Sequence, residues 1–386
     1  MSRPPRIMIS AGEASGDRLG AGLARALRDL QPGVELIGMG GGQMAEAGVR
    51  RVQDAAAVAV VGFSEVIAHL PEIRAAMGRL EQVLERERPD VLVPIDFPDF
   101  NVRLAARAAR AGVPVVYFVS PQVWAWRRRR VRSIRRLVRR MLVLFPFETE
   151  FYEQAGVPVT FVGHPLGERR PPAASREELA SRLALDPQRR TLALVPGSRR
   201  VEVARLLPVM LAAAKILEED RGDLQFVVPV APGLALTEIL EPLERHGSEH
   251  VRAHSGDFPD LLTLCEAGVV ASGTASLEAA VSGLPIVVVY RISAVSHAIA
   301  RVLVRVDHVA MPNLVAGRRV VPELIQRQCT PERVAAELAR YLDDPGHAAR
   351  VRGELADVRA RLGGPGVFER AAREILSEIE TAPPSA

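Results

Sequence analysis

Apolar residues along this chain follow two alternating patterns. Short unbroken runs occur at Ile7 to Ile9, Glu35 to Gly38, Val91 to Ile95, Val115 to Val119, Met141 to Leu144 and Val159 to Val162. They return at Leu192 to Val195, Gln225 to Val230, Val251 to Ala253, Ala267 to Ala271 and Pro285 to Val289. Between them, as over Leu19 to Leu30, Glu72 to Glu87 and Val102 to Ala111, apolar positions recur at helical spacing. Unbroken runs mark strands covered on both faces, and the wider spacing marks amphipathic helices, so the rhythm predicts parallel sheets layered with helices. A glycine-rich corner follows the first run of each half, Ser10-Ala11-Gly12-Glu13-Ala14-Ser15-Gly16-Asp17 and Pro196-Gly197-Ser198-Arg199, and each opens a helix. The expected class is α/β, with two doubly wound, Rossmann-like domains facing a cleft. The Pro-, Arg- and Ala-rich stretch from Gly167 to Ser175 reads as a linker. It suggests an N-terminal domain over 1–168, a C-terminal domain over 169–365, and a last helix and tail over 366–386, with the C-terminal helices packing back on the first domain. The tail reads as helical from Pro331 to Glu380, with breaks at Asp344-Pro345-Gly346 and Gly363 to Gly366.

A length of 386 residues suits two cores, and 48% hydrophobic with 25% charged residues is a globular balance. The apolar stretch Ala55 to Phe63 is nine residues long, short of the ~20 that span a bilayer. A strand and a charged turn, and no apolar signal core, follow Met1 to Arg6. Cys265 and Cys329 have no metal-spacing partner, which argues against a disulfide framework or zinc site and agrees with a cytosolic location. The net charge of +4 rests almost wholly on arginine. Nine arginines and no acid lie between Arg127 and Arg140, interleaved with Val131, Ile134, Leu137 and Val138, beside both tryptophans, Trp124 and Trp126. A solvated helix face, stacking on single-stranded nucleic acid and seating on anionic head groups all fit that pattern.

Chemistry concentrates where strands end. Pro196-Gly197-Ser198-Arg199 offers backbone N–H groups and a helix N-terminus to phosphate oxygens, with Arg199 as a permanent charge; an ordinary surface turn fits equally well. Ser272-Gly273-Thr274-Ala275-Ser276-Leu277-Glu278 repeats the arrangement after another strand. Two such turns in one half favour a nucleotide diphosphate. Glu278 can hold a ribose diol or complement the helix dipole. In the first half, Asp96, Asp99 and Asn101 follow the run Val91 to Ile95, where α/β folds carry their active sites. Asp99 suits a helix cap, whereas Pro98 separates Asp96 from that role, so Asp96 is the general-base candidate, with an ordinary carboxylate pKa of ~4. Glu13, Ser15 and Asp17 suit an anionic ligand or capping equally. Gly40 to Gly42 adds a flexible corner, and His164 reads as structural. His246, His250 and His254 sit four apart on no convincing amphipathic helix, so no metal site is expected. Asn313 offers an amide to a base edge or ends a helix.

Taken together, these segments resemble the lipid-A-disaccharide synthases, the glycosyltransferases of lipid A assembly. The likeness covers nearly the whole chain. It is carried by Ala11 to Asp17, Ile95-Asp96, Pro98 to Asn101, Tyr117 with Val119 to Pro121, Val123 to Trp126, Phe145 to Glu148, Pro196 to Arg199, Ser272 to Ala275, and Pro312-Asn313 with Leu314 to Arg318. The resemblance implies an inverting, metal-independent GT-B enzyme with no cofactor. It would join UDP-2,3-diacylglucosamine to 2,3-diacylglucosamine 1-phosphate, releasing UDP. The same resemblance makes Asp96 the base for the acceptor 6-hydroxyl, and Ser198, Arg199 and the Thr274 helix start the groups that stabilise pyrophosphate. Glu278 and Asn313 would hold ribose and uracil, and Gly12, Glu13, Ser15, Asp99, Asn101, Trp124, Gly197, Ser272, Gly273 and Ala275 complete the expected substrate contacts. Acylated substrates imply peripheral docking on the anionic inner face of the inner membrane, through Val58 to Leu70 and the arginine helix. They imply no nucleic-acid partner. Relatives with exchanged C-terminal segments suggest a homodimer. The basic run is denser than the family leads one to expect, and Pro165 to Glu168 receive no role. Another GT-B UDP-N-acetylhexosamine transferase or epimerase, or a non-catalytic anionic-membrane or nucleic-acid binder, are the competing readings.

Overall fold

The computed structural model describes residues 3–58, 70–125, 130–168, 175–246, 248–293 and 307–381. The chain divides into two compact units, Met1–Pro165 with Gly363–Ala386, and Leu166–Leu362. Each is built on a wholly parallel sheet.

The first unit carries β1 (Arg6–Ala11), β2 (Glu35–Gly40), β3 (Arg50–Asp54), β4 (Val91–Ile95), β5 (Val116–Phe118), β6 (Arg140–Val143) and β7 (Val159–Phe161), in spatial order β3-β2-β1-β4-β5-β6-β7. Successive strand residues alternate between two cores. Met8, Leu92, Tyr117 and Met141 face one layer of helices, and Ile7, Ile9, Val91, Val93, Ile95 and Phe118 face the other. That is why the central strands read as unbroken apolar runs. β3, Arg-Arg-Val-Gln-Asp, escaped the sequence pattern because an edge strand needs little apolar surface. Pro94 sits inside central β4 and has no N–H to give. The ladder from β4 to β5 accordingly skips from Leu92↔Val115 to Ile95↔Phe118.

The second unit repeats the winding with β8 (Arg190–Val195), β9 (Leu224–Pro229), β10 (Val251–His254), β11 (Cys265–Ala271), β12 (Ile286–Tyr290) and β13 (Glu323–Ile325), ordered β10-β9-β8-β11-β12-β13. The three-residue edge strand β13 also lacked a legible pattern. In both sheets the strand order reverses next to the first strand, β1 against β4 and β8 against β11, and ligands of open α/β sheets bind outside the strand ends at such a point.

The tail forms three helices, Pro331–Asp343, Pro345–Arg361 and Val367–Glu380. The last belongs to the first unit. Its Val367, Ala371, Ala372 and Ile375 join the core of Ile7, Leu23 and Leu27, and Phe368 packs close against Gly22. Its Glu378, only 6% exposed, accepts from Arg139 and Arg140, each at 2.6 Å.

Candidate active site

Asp96 and Phe97 leave β4 with φ of 42° and 50°, left-handed values that each cost a non-glycine residue roughly 1–2 kcal/mol. Three contacts impose this corner. The Asp96 carbonyl accepts from Tyr117 Oη at 2.7 Å and from Asn101 Nδ2 at 2.8 Å. The Phe97 ring lies so close over Gly12 that a Cβ there would collide with it. Gly12→Ala therefore displaces the ring or the strand end, and we expect a loss of about 1–3 kcal/mol in urea unfolding together with reduced activity.

The Asp96 side chain stays partly accessible. Burial raises its carboxyl from the ordinary range to about 6, the neighbouring Glu13 charge adds to this, and the Phe97 N–H opposes it. The ordinary value expected from the sequence is thus corrected. Glu13 and Ser15 lie exposed at the start of helix Ala14–Leu30, whose N-cap Glu13 makes no side-chain capping bond. Asp17 points elsewhere: buried, it accepts from the N–H groups of Gly41, Gln43 and Met44 at 2.7, 3.1 and 3.1 Å, capping helix Gly42–Glu46. Asp99 does not cap its helix, Pro98–Arg110, whose N-cap is Phe97. It lies in the exposed first turn and pairs with Arg130.

In the second unit, β8 ends at Val195, and two residues on, Gly197 takes φ 110°, a conformation that glycine permits. Helix Arg200–Asp220 follows. Glu202 reaches back, accepting from Ser198 N at 3.3 Å and from Arg199 Nη1 at 3.3 Å, while the Arg199 side chain remains 73% exposed. The neighbouring strand β11 ends at Ala271, and the next residue, Ser272, donates its hydroxyl to Val309 O at 2.9 Å. Gly273, with φ 145°, is the N-cap of helix Thr274–Val281, and among the described residues, its chain neighbours aside, nothing lies within 4 Å of where its Cβ would be. Gly273 and Thr274 are exposed, Ala275 and Glu278 half-buried. The two turns thus stand side by side at the reversal point of the second sheet, with helix N-termini suited to anionic oxygens.

The family model for lipid-A-disaccharide synthetase matches residues 7–363. A lipid-A-disaccharide synthase of Geobacter metallireducens is 48% identical over 374 residues, 97% of each chain. The chain belongs to the lipid-A-disaccharide synthase family. Glycosyl transfer is the chemistry of that family. Solved structures share the fold alone. A glycosyltransferase from Rickettsia africae superposes with a TM-score of 0.64 at 10% identity, covering 99% of this chain and 100% of its own. The UDP-GlcNAc 2-epimerase of Neisseria meningitidis, bound to UDP-GlcNAc, gives 0.62 at 12%, with 99% and 100% covered. The architecture is thus the GT-B one, which carries both transferases and epimerases.

Three residues expected to touch substrate in this lipid-A-disaccharide synthase family member turn inward instead. Asn101 is fully buried. Its amide donates to Ser10 O, Ile95 O and Asp96 O, and its Oδ1 accepts from Ser10 Oγ at 2.7 Å. Asn313 is equally buried: Nδ2 donates to Val321 O and Glu323, and Oδ1 accepts from Val320 N and Val321 N. With both ends of the amide engaged, neither side chain is turned toward a sugar or a base. Trp124 is buried against Phe147 and donates to Glu148 Oε1 at 3.1 Å, while Trp126 and Arg127 to Arg129 lie outside the described residues. Glu148 also accepts from Phe145 N at 3.1 Å, and burial pushes its carboxyl up to about 7. His164 is held well below its ordinary value, at about 4, first by burial and then by Arg18, so it is neutral at pH 7.

Glu323 was not singled out from the sequence, and Tyr117 was noted there only as part of the family likeness, with no role of its own. Glu323 gathers Val309 N, Ala310 N and the Asn313 amide, bracing the segment that meets Ser272. Its only signal was an acid beginning an apolar run.

Among the described residues of the basic run, Val131–Leu137 form an α-helix. Arg139 and Arg140 are spent on Glu378 and Arg130 on Asp99, which leaves Arg132, Arg135 and Arg136 exposed around buried Ile134. Most of Val58 to Leu70, residues 59–69, lies outside the described residues. Among the described residues no helix is long and apolar enough to cross a membrane.

Proposed function

We propose that the chain condenses UDP-2,3-diacylglucosamine with 2,3-diacylglucosamine 1-phosphate, giving the β-1,6-linked disaccharide 1-phosphate and UDP. The observation that carries this is the Asp96 corner: a half-buried carboxylate at the reversal point of the first sheet, held in a strained backbone by a dedicated set of bonds. In the reaction the acceptor O6–H proton passes to the Asp96 carboxylate. O6 bonds to the anomeric carbon from the face opposite UDP, and the C1–O bond breaks with its electron pair leaving on the diphosphate. Negative charge grows on that diphosphate as the bond breaks. The amides of Gly197 and Ser198, the Arg199 guanidinium and the helix start at Gly273, Thr274 and Ala275 are the groups suited to receive it. Ser272 braces this turn, and Glu278 is suited to the ribose diol. Glu13 and Ser15 are suited to the acceptor phosphate or sugar, and Asp99, paired with Arg130, to an acceptor hydroxyl rather than to the base role.

The acyl chains call for peripheral attachment to the cytoplasmic face of the inner membrane. Arg132, Arg135 and Arg136 remain to meet anionic head groups, each contributing about 1 kcal/mol at most. A homodimer exchanging C-terminal segments would set a partner's helix in the groove that Val367–Glu380 fills here.

A base must be ionised to act. With its pKa near 6, kcat/KM is expected to fall about tenfold per unit below pH 6, a limb that an ordinary carboxylate would show near pH 4. A pH–rate profile with a non-titrating acceptor analogue checks this.

The decisive assay incubates purified protein with both acylated substrates and looks for UDP and a disaccharide. Activity with non-acylated sugars alone, or interconversion of the donor without transfer, would favour another transferase or an epimerase.

A further inference from the structure

We propose that Tyr117 and Asn101 are positioning residues of the transfer reaction, clamping the Asp96 carbonyl so that the 96–97 corner stays left-handed and the carboxylate stays at the end of β4. The inference rests on the transferase reading above. Its geometric basis is a gap in the sheet.

Pro94 withholds an N–H where β4 would next bond to β5, so the backbone ladder between the two strands lacks a bond two residues before Asp96. Side chains replace the missing tie. Tyr117, fully buried on β5, donates its hydroxyl to Asp96 O at 2.7 Å, and Asn101, fully buried in the first turns of Pro98–Arg110, donates to the same oxygen at 2.8 Å. Asn101 is itself fixed to β1 through Ser10. Three strands therefore converge on one carbonyl.

Two consecutive non-glycine residues at positive φ relax toward ordinary backbone unless the surroundings hold them. Relaxation would swing the carboxylate, and a displacement of about 1 Å is enough to cost on the order of 10²-fold in rate. Neither clamp needs to reach the substrate to have this effect. The charged and titratable groups around the carboxylate are Glu13 from helix Ala14–Leu30, Tyr117 from β5, and Asp99 with Arg130 nearby.

The test is Y117F, with Y152F as comparator. Tyr152 is also fully buried in this unit, but its hydroxyl meets Ser120 Oγ at 2.8 Å and not Asp96. Both variants remove one buried hydroxyl. For Y117F we expect kcat to fall about 10- to 100-fold, with KM and UDP affinity within about twofold of wild type. The acid limb of the rate profile should move to lower pH as the loosened carboxylate gains solvent. Y152F should lose similar thermal stability and keep its kcat and acid limb. If Y117F does not fold, N101S withdraws the other donor and is read against Y152F in the same way.

Wild-type kcat and an unmoved acid limb in Y117F overturn the proposal. So does a loss of kcat in Y152F as large as that in Y117F, which would mark a general packing effect. Absence of transfer by the wild-type chain would instead sink the transferase reading itself.

Discussion

Asp96→Asn is expected to lower turnover by about 10²–10⁴-fold while UDP binds as before. Asparagine matches aspartate in shape and keeps the backbone that Tyr117 and Asn101 hold, so the corner survives and only the proton acceptor is lost. The aspartate's raised pKa reflects a half-buried charge, and the neutral amide does not carry that desolvation cost. Unfolding therefore cannot explain the loss: the variant should be at least as stable as the parent in urea at pH 8. The proposed nucleotide contacts, Gly197 to Arg199 and Gly273 to Ala275, belong to the second unit, so UDP affinity by calorimetry serves as an internal control. Turnover within tenfold of wild type would remove Asp96 from the base role.

Arg199→Ala carries the second largest expected effect, a drop of about 10²–10³-fold in kcat/KM, with UDP itself bound more weakly. The Arg199 side chain is 73% exposed, and its ion pair with Glu202 at 3.3 Å is a solvent-screened surface contact. Such pairs add little to folding. Thermal stability should accordingly be unchanged, and the kinetic loss assigns the guanidinium to the ligand. Because charge builds on the diphosphate as the glycosidic bond to UDP breaks, kcat should fall more than the affinity for UDP. Arg199→Lys should recover only part of it, since a point charge replaces a planar fork. An unchanged kcat would show that the amides alone hold the leaving group.

The parallel sheets and the places of Asp96, Gly197 and Gly273 just beyond strand ends could be read from the chain, because buried strands and tight glycine corners leave strong local marks. What escaped reading was decided by partners far away in sequence. Asn101 and Asn313 looked like ligand contacts since an asparagine carries the same letter whether its amide meets a ligand or the backbone. Ser10, ninety-one positions from Asn101, settles that question for the first. Asp17 was read correctly only as one of two roles, and Gly41 to Met44 decide it. The strained φ of Asp96 had no local signal at all, for neither Asp nor Phe announces a left-handed corner; Gly12, Tyr117 and Asn101 together impose it. The edge strands β3 and β13 were missed because sheet edges do not demand apolar residues.

The way helix Val367–Glu380 completes the first unit governs how the chain emerges from the ribosome. Strands β1 to β7 are synthesised early, yet the groove beside Ile7, Leu23 and Leu27 is sealed only by Val367, Ala371 and Ile375. The whole of Leu166–Leu362 is made in between. The later unit can thus close on itself first, while the earlier one waits with apolar surface open, and apolar surface exposed during synthesis favours aggregation.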